Sequence, residues 1–446
     1  MIAKWNVSNY KSIREETGLN FAPLTIFVGP NNSGKSAFIQ SILLVSQTWL
    51  DNECTSDVIL NGFITKLGQF KDLKSINGEK SRITIKYTLA SELNKNDIFK
   101  LTSQRTDTQT IKTELAKILN SSDVKFHMYI SCHLSFGVNP SSVDFDKMQN
   151  QPKIYFEKIT SRIIKKNGDN NNVEVKLIPD RFRMETIEHF FRVSLKYLDS
   201  SGIAPKRIYP SFRGLGIYDI GLQGEDTASI LEKYKNNKIR YIPSAYFKDG
   251  TIIREMVPET LENAVIDWLD YLGLAVSVTR QKKGIDWYEF KVKTSNLDAL
   301  RNITQVGVGL SQVLPIIVMS LLAKDGSTLI FDHPENNLHP STQLLLGDFF
   351  LAISLSKKQC ILETHSEYIF DRLRFRIAAS RLKHPLEKHV KMYFVEKQLD
   401  ASSFREIVFN EYGAIVEWPD GLFDESLKET EKILQAASMK RKRNKK

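Results

Sequence analysis

The apolar residues of this chain fall into two textures. Near the start, Ile2 to Val7 and Leu24 to Val28 are strand-like, and Ser36 to about Trp49 carries Phe38, Ile39, Ile42, Leu43 and Ser46 at helical spacing. A strand, a loop and a helix are therefore expected in that order. The same texture returns late in the chain, where Thr328 to Phe331 and Gln359 to Glu363 are short apolar runs after helical stretches, as buried parallel strands are. Val313 to Leu322 reads as an apolar helix directly upstream of the first of them. Between about 94 and 298 polar loops such as Lys165 to Asn172 separate strand-like runs, Phe126 to Leu134 and Val173 to Leu177, and one helix, Leu261 to Gly273. The pattern predicts one α/β head over 1–93 and 299–385, split by an α+β insertion over 94–298. A C-terminal subdomain with a basic tail is expected over 386–446. No fixed-period repeat and no sustained heptad run is present, so long coiled-coil arms are not expected.

Composition adds little to this and removes several classes. With 446 residues, 41% hydrophobic and 26% charged, the chain is ordinary for a globular protein. The longest apolar run, Val313 to Ala323, contains Pro315 and falls short of the ~18 residues of a membrane helix, and the start Met1-Ile2-Ala3-Lys4-Trp5 lacks a signal-peptide pattern. A cytoplasmic protein with no membrane partner is expected. Cys54, Cys132 and Cys360 are widely spaced and form no zinc or disulfide pattern. The net charge of +10 permits a polyanionic partner, but part of the excess sits in Met439 to Lys446, which reads as a solvated, disordered tail.

The chemistry is concentrated in a few segments. Gly29-Pro30-Asn31-Asn32-Ser33-Gly34-Lys35-Ser36 matches G-x-x-x-x-G-K-[ST], lying between a strand and a helix as that motif requires. Its glycines let successive N–H groups turn toward phosphate, and the helix N-terminus adds its dipole. Lys35 is expected on the β- and γ-phosphates of a nucleoside triphosphate, and the Ser36 hydroxyl on magnesium. Magnesium also needs a carboxylate at the end of a second buried strand, and Asp332 ends Thr328-Leu-Ile-Phe331. Gly307-Val-Gly-Leu-Ser-Gln312 reads as a Gly/Ser loop opening a helix, which is either a second anion site or a plain cap. Glu363-Thr-His-Ser366 is a polar cluster at a strand's C-terminal end, where α/β sheets bind ligands. Asp144 and Asp146 form a DxD pair without a third carboxylate at a diagnostic spacing.

With these segments in order, the chain resembles the ABC-type ATPase heads of the SMC, recombination-repair and OLD-like groups. More narrowly, it is similar to bacterial stand-alone AAA-family ATPases with a C-terminal domain of unknown function, often encoded near phage-defence genes. The resemblance rests on Asn31-Asn-Ser-Gly-Lys-Ser36, Asp332-His-Pro-Glu-Asn-Asn-Leu-His-Pro340, Glu363-Thr-His-Ser-Glu-Tyr-Ile369, Arg372-Leu-Arg374 and Glu417-Trp-Pro-Asp-Gly-Leu-Phe-Asp-Glu425. In the insertion only Gly221-Leu-Gln-Gly-Glu225 and Trp268 to Gly273 match, as turn and core positions. The resemblance implies ATP and Mg2+ as cofactors and a head-to-tail homodimer, with Gly309 and Ser311 of one subunit reaching the γ-phosphate held by the other. Gly307 is the alternative contact. It implies His365 as the switch histidine that senses that phosphate, and Gln69 as the one candidate for the adenosine-coordinating glutamine.

One departure matters. Such heads carry a glutamate directly after the aspartate; here His333 follows Asp332 and Glu335 lies two residues on. Both are candidate bases, Glu335 slightly favoured because residues two apart on an extended segment share a side. A missing base implies slow hydrolysis and a long-lived ATP-bound dimer. The expected role is an ATP-gated switch for a separately encoded effector, a nuclease being the candidate, in phage defence; the chain after Ser366 is too short for the nuclease domain of OLD-like proteins. The alternative is a DNA-binding clamp using the basic tail and Arg372, Arg374 and Arg376. A third reading, phosphoryl transfer to a small molecule, is disfavoured by the Gly/Ser loop and His365.

Overall fold

The computed structural model describes residues 1–51, 57–76, 81–93, 125–137, 152–166, 174–175, 180–199, 209–210, 220–248, 252–283, 287–381 and 385–443. A six-stranded sheet organises it, in the order Ala401–Ile407, Val390–Gln398, Leu24–Val28, Gln359–Glu363, Thr328–Asp332 and Leu195–Asp199. All neighbours pair in parallel except the edge strand Ala401–Ile407. Strand periodicity sends alternate side chains to opposite faces. Leu24, Ile26, Val28, Leu329, Phe331, Cys360, Leu362, Met392 and Phe394 enter one core. Phe27, Ile330, Ile361, Tyr393 and Val395 enter another. Burial on both faces is why these strands are unbroken apolar runs in the sequence.

The first core is covered by helices Leu261–Tyr271, Val308–Leu322, Pro340–Leu355 and Glu367–Ala379. The second is filled by helix Lys35–Asp51, which packs Phe38, Ile39, Ile42 and Leu43 between the parallel sheet and a second, antiparallel one. That sheet runs Thr17–Asn20, Ile2–Ser8, Ile83–Leu93, Lys125–Gly137, Lys153–Lys166, Glu174–Val175. Trp5 ties it to the helix, donating from Nε1 to Ser41 Oγ at 2.9 Å while stacking on Tyr87 at 5.0 Å. Segments far apart in sequence thus share sheets. Strands from the insertion extend the antiparallel sheet and supply one edge of the parallel sheet, and the hairpin Val390–Ile407 supplies its other edge.

Several expectations change. The apolar helix begins at Val308, not Val313, with Gly307 as N-cap and Pro315 inside it, so the expected Gly/Ser loop is mostly the helix's first turns. Burial of Gly309 to Leu322 outweighs the poor propensity of the helix's glycine and proline. The helix expected over Leu261 to Gly273 spans Leu261–Tyr271, started by Thr260, whose side chain accepts from Asn263 N, with Trp268 fully buried. Of the tail expected to be disordered, Met439 to Lys446, the described part is helical, closing a helix Glu425–Arg443 supported by the spaced pairs Asp424–Lys428 at 2.5 Å and Glu429–Lys432 at 3.1 Å, while 444–446 lie outside the described residues. Arg372, Arg374 and Arg376 each have partners within the protein. Arg372 and Arg376 both bind Asp348, at 2.7 and 2.6 Å, and Arg376 is fully buried. Arg374 donates to Gly413 O at 3.1 Å and lies over the Trp418 ring at 5.3 Å. Cys132 and Cys360 are buried free thiols; Cys54, Asp144 and Asp146 lie outside the described residues. Among the described residues no helix is long and apolar enough to cross a membrane.

Candidate nucleotide site

Strand Leu24–Val28 delivers Gly29, and the chain crosses to helix Lys35–Asp51 through a loop whose shape is dictated by its neighbours. Gly29 and Gly34 have φ of +140° and +112°, and Asn32 has +61°. A Cβ at Gly29 would overlap the Val395 carbonyl oxygen, and one at Gly34 would overlap Ser402 Oγ. Both obstacles belong to the C-terminal hairpin. Ser402 donates from N to Ser12 O at 2.8 Å, and its hydroxyl bridges Ser33 O at 2.6 Å and Ser12 Oγ at 2.7 Å. The helix opened by Lys35 has no acidic residue in its first turn, so its N-terminal dipole is left for an anion.

Lys35 folds back on this loop. Its ammonium donates to Gly29 O at 2.9 Å and Pro30 O at 2.8 Å. Burial holds its pKa below the usual lysine value, against the opposing pull of Glu363, Asp332 and Glu335. Ser36 Oγ donates to Glu363 Oε1 at 2.6 Å.

Glu363 is the residue that sequence reasoning left without a role. Strand Gln359–Glu363 lies between the P-loop strand and Thr328–Asp332, and pairs so that Glu363 and Asp332 are directly opposite at the two C-terminal ends. The signal that singled out Asp332, an acid closing a buried apolar run, is present at Glu363 too. Glu363 therefore meets the Ser36 hydroxyl, with Asp332 beside it at the neighbouring strand end, where one carboxylate was expected.

Beyond Asp332 the chain turns sharply. His333 has φ +48°, so this segment is not extended, and the periodicity argument favouring Glu335 does not apply. His333 N donates to Glu363 O at 2.9 Å, and its ring stacks on His365 at 4.9 Å with 11° between planes. Its Nε2 lies 3.5 Å from Asp332 Oδ1 and 3.9 Å from Glu363 Oε1, and its Nδ1 lies 3.8 Å from Glu335 Oε1. Glu335 is buried behind it, accepting from His365 N at 2.7 Å.

The electrostatics follow from this crowding. Burial first, and then the charge of Glu363, push the Asp332 carboxyl up to about 6. Burial also raises Glu363, against the Ser36 hydrogen bond and the positive charge of His333 and Lys35. For Glu335 burial is outweighed by His333 and by the His365 amide, so it stays below the usual carboxylate value. Glu335 is the main cause of a raised His333, whereas burial and the neighbouring Lys35 lower His365.

Together these residues enclose a cleft of ≈ 340 Å³ lined by Lys11, Ser12, Asn31, Asn32, Ser33, Gly34, Lys35, Ser36, Ala37, Gln40, His333, Glu363 and His365. Of the two candidate bases, His333 is on its wall and Glu335 is not. Gly309 and Ser311 are not on it either; both are buried, Ser311 Oγ having no hydrogen-bond partner among the described residues, while Gly307 and Val308 are exposed at the helix start. Gln69 is exposed at the start of a short helical turn away from the cleft, where its N–H donates to Asp72 Oδ2 at 2.9 Å. The donor set suits magnesium: the Ser36 hydroxyl and two carboxylates are hard oxygen ligands, and Glu363 Oε2 is a buried acceptor with no partner among the described residues.

Solved structures with a related arrangement are SMC heads. One is an SMC head bound to the C-terminal winged-helix domain of ScpA, 13% identical, TM-score 0.46, covering 92% of this chain and 98% of that one. Another is the SMC head domain from Thermotoga maritima, 10% identical, TM-score 0.41, covering 91% and 98%. A third is an Smc head domain with an extended coiled coil bound to the C-terminal domain of ScpA, derived from Pyrococcus furiosus, 11% identical, TM-score 0.38, covering 98% and 99%. These likenesses are distant. No curated protein matches the chain in sequence. Residues 387–433 match a protein family of unknown function (DUF3696), so the hairpin that shapes the P-loop lies within that region. Residues 1–370, carrying the P-loop, Asp332, Glu363 and His365, match the family described as AAA ATPase domain, and the chain belongs to that family.

Proposed function

We propose that this chain binds MgATP in the cleft between the P-loop and the ends of strands Thr328–Asp332 and Gln359–Glu363, hydrolyses it slowly, and uses the bound state to pair two heads. The observation that carries the reading is that Lys35, Ser36 and Glu363 line one cleft behind a helix N-terminus, with Asp332 paired beside Glu363 at the adjoining strand end. Lys35 leaves the Gly29 and Pro30 carbonyls for the β- and γ-phosphates, and the loop N–H groups hold the rest of the chain of phosphates. Bound magnesium would be held by Ser36 and Asp332 and would neutralise charge developing on the phosphates. His333 is the residue placed to take the proton of the attacking water. Glu335, behind it at 3.8 Å from Nδ1, supplies the negative charge that stabilises the imidazolium once formed. His365, held by its backbone N–H to Glu335 and stacked on His333, reports the state of the γ-phosphate to both.

Pairing of heads is supported by the exposed, glycine-capped start of helix Val308–Leu322, which offers N–H groups to a phosphate on a second subunit. Gly307 and Val308 make that contact better than Gly309 or Ser311, which are buried. Control of a separately encoded effector in antiviral defence, a nuclease being the candidate, rests on the resemblance of the motifs and completes the reading. The test is ATP binding and size-exclusion chromatography on the parent, Lys35→Ala and Asp332→Asn. The parent and Asp332→Asn should bind ATP, and Asp332→Asn should accumulate as an ATP-dependent dimer without turnover. An Asp332→Asn protein that hydrolyses ATP at the parent rate, or binds it without changing its elution, refutes the site or the pairing respectively.

A further inference from the structure

We infer that Glu363 is a direct ligand of a divalent cation, and that Ser36, Asp332 and Glu363 together bind that cation before any nucleotide arrives. An ordinary P-loop offers one hydroxyl and one carboxylate, so magnesium enters largely as a complex with the phosphates. Here a second carboxylate comes from the strand between the P-loop strand and the Asp332 strand. In-register pairing of the two strand ends puts Asp332 and Glu363 side by side, and donor atoms of Asp332, His333 and Glu363 all lie within 4.8 Å of one another. Ser36 Oγ already touches Glu363 Oε1 at 2.6 Å, so the hydroxyl and the carboxylate need no rearrangement to share an ion.

The independent sign of a missing ligand is Glu363 itself. It is 2% exposed, and its Oε2 is buried with no hydrogen-bond partner among the described residues. An ionised oxygen in that position is costly unless something positive meets it. The nearest cations do not: Lys35 is held by two backbone carbonyls, and His333 Nε2 is 3.9 Å from the other Glu363 oxygen. Three oxygen donors with open positions remaining fit a hard octahedral ion, Mg2+ or Mn2+, with water in the remaining positions until phosphate oxygens replace it.

The inference rests on the phosphate-site reading, and the experiment separates the two. Mn2+ binding to the full chain is measured without nucleotide by electron paramagnetic resonance or calorimetry, with MgATP binding measured in parallel. The parent should bind one Mn2+ per chain. Glu363→Gln, nearly isosteric, should weaken that binding at least tenfold, and Ser36→Ala severalfold, each with an intact melting transition. Lys35→Ala, unable to hold ATP, should keep the Mn2+ affinity. Mn2+ bound only when ATP is present, or equal affinity in the parent and both Glu363→Gln and Ser36→Ala, overturns the inference while leaving the ATP site standing. Loss of ATP binding in the parent would instead overturn the site reading.

Discussion

The P-loop and the carboxylate wall opposite it are two halves of one cleft built in opposite ways. The P-loop is eight consecutive residues, and without a ligand it is at rest: Lys35 rests on the Gly29 and Pro30 carbonyls, and Ser402 holds the Ser33 carbonyl. The wall is assembled from two strand ends and is strained. It crowds Asp332, Glu335 and Glu363 around His333, pushes Asp332 up to about 6, and leaves Glu335 Oε2 and Glu363 Oε2 buried without partners among the described residues. Buried acids crowded in this way cost stability unless positive charge meets them.

The largest effect should come from the wall. His333→Ala should slow single-turnover hydrolysis by about 10²–10⁴ while ATP affinity stays within a few-fold, the worth of a positioned base. Glu335→Gln should slow it less. If Glu335→Gln proves the more severe, Glu335 is the base and His333 its support. Next comes the resting half. Two charge-assisted contacts to phosphate contribute roughly 1.5–3 kcal/mol each, so Lys35→Ala should weaken ATP binding about 100-fold or more in equilibrium titration. Unchanged affinity would mean that the loop's amides alone hold the nucleotide.

Strain in the wall can be read without any ligand. Asp332 has a folded-state pKa of about 6 against an ordinary 3.8, so its contribution to stability is full below about pH 4 and is lost as the pH rises through about 6. Asp332→Asn should therefore melt higher than the parent at pH 7, by on the order of 1–2 kcal/mol, with the gain disappearing near pH 4. A variant less stable at pH 7 would show that the Tyr197 hydrogen bond to this carboxylate outweighs its burial. The smallest effect tests the resting half again. Ser402→Ala removes the hydroxyl bridging Ser33 and Ser12 and should cost about 1 kcal/mol in chemical denaturation. It should also weaken ATP binding; a change in neither would separate the hairpin from the site.

What could be read in advance follows the same division. The P-loop was legible because its eight residues are contiguous and each has a role in any P-loop. Asp332 was legible as an acid closing a buried run. Glu363 carries the same signature, but its significance depends on the strand order, which no local pattern encodes. The C-terminal hairpin was invisible as part of the catalytic sheet for the same reason. Arg372, Arg374 and Arg376 were offered as DNA contacts because the local sequence does not reveal a buried acid such as Asp348 on a neighbouring helix. The start of helix Val308–Leu322 was misplaced because glycine weighs against helix locally, whereas tertiary burial decides it.

The Ser402 bridge to Ser33 joins residues 369 positions apart, with strand Val390–Gln398 lying directly against the P-loop strand. A ribosome adding ~5–20 residues per second needs roughly 20–70 s to travel that distance. For most of that interval the nascent chain carries its phosphate loop on a strand with neither flank paired, since Gln359–Glu363 on the other side is also made late, and the loop gains its Ser402 support only once the hairpin has been made.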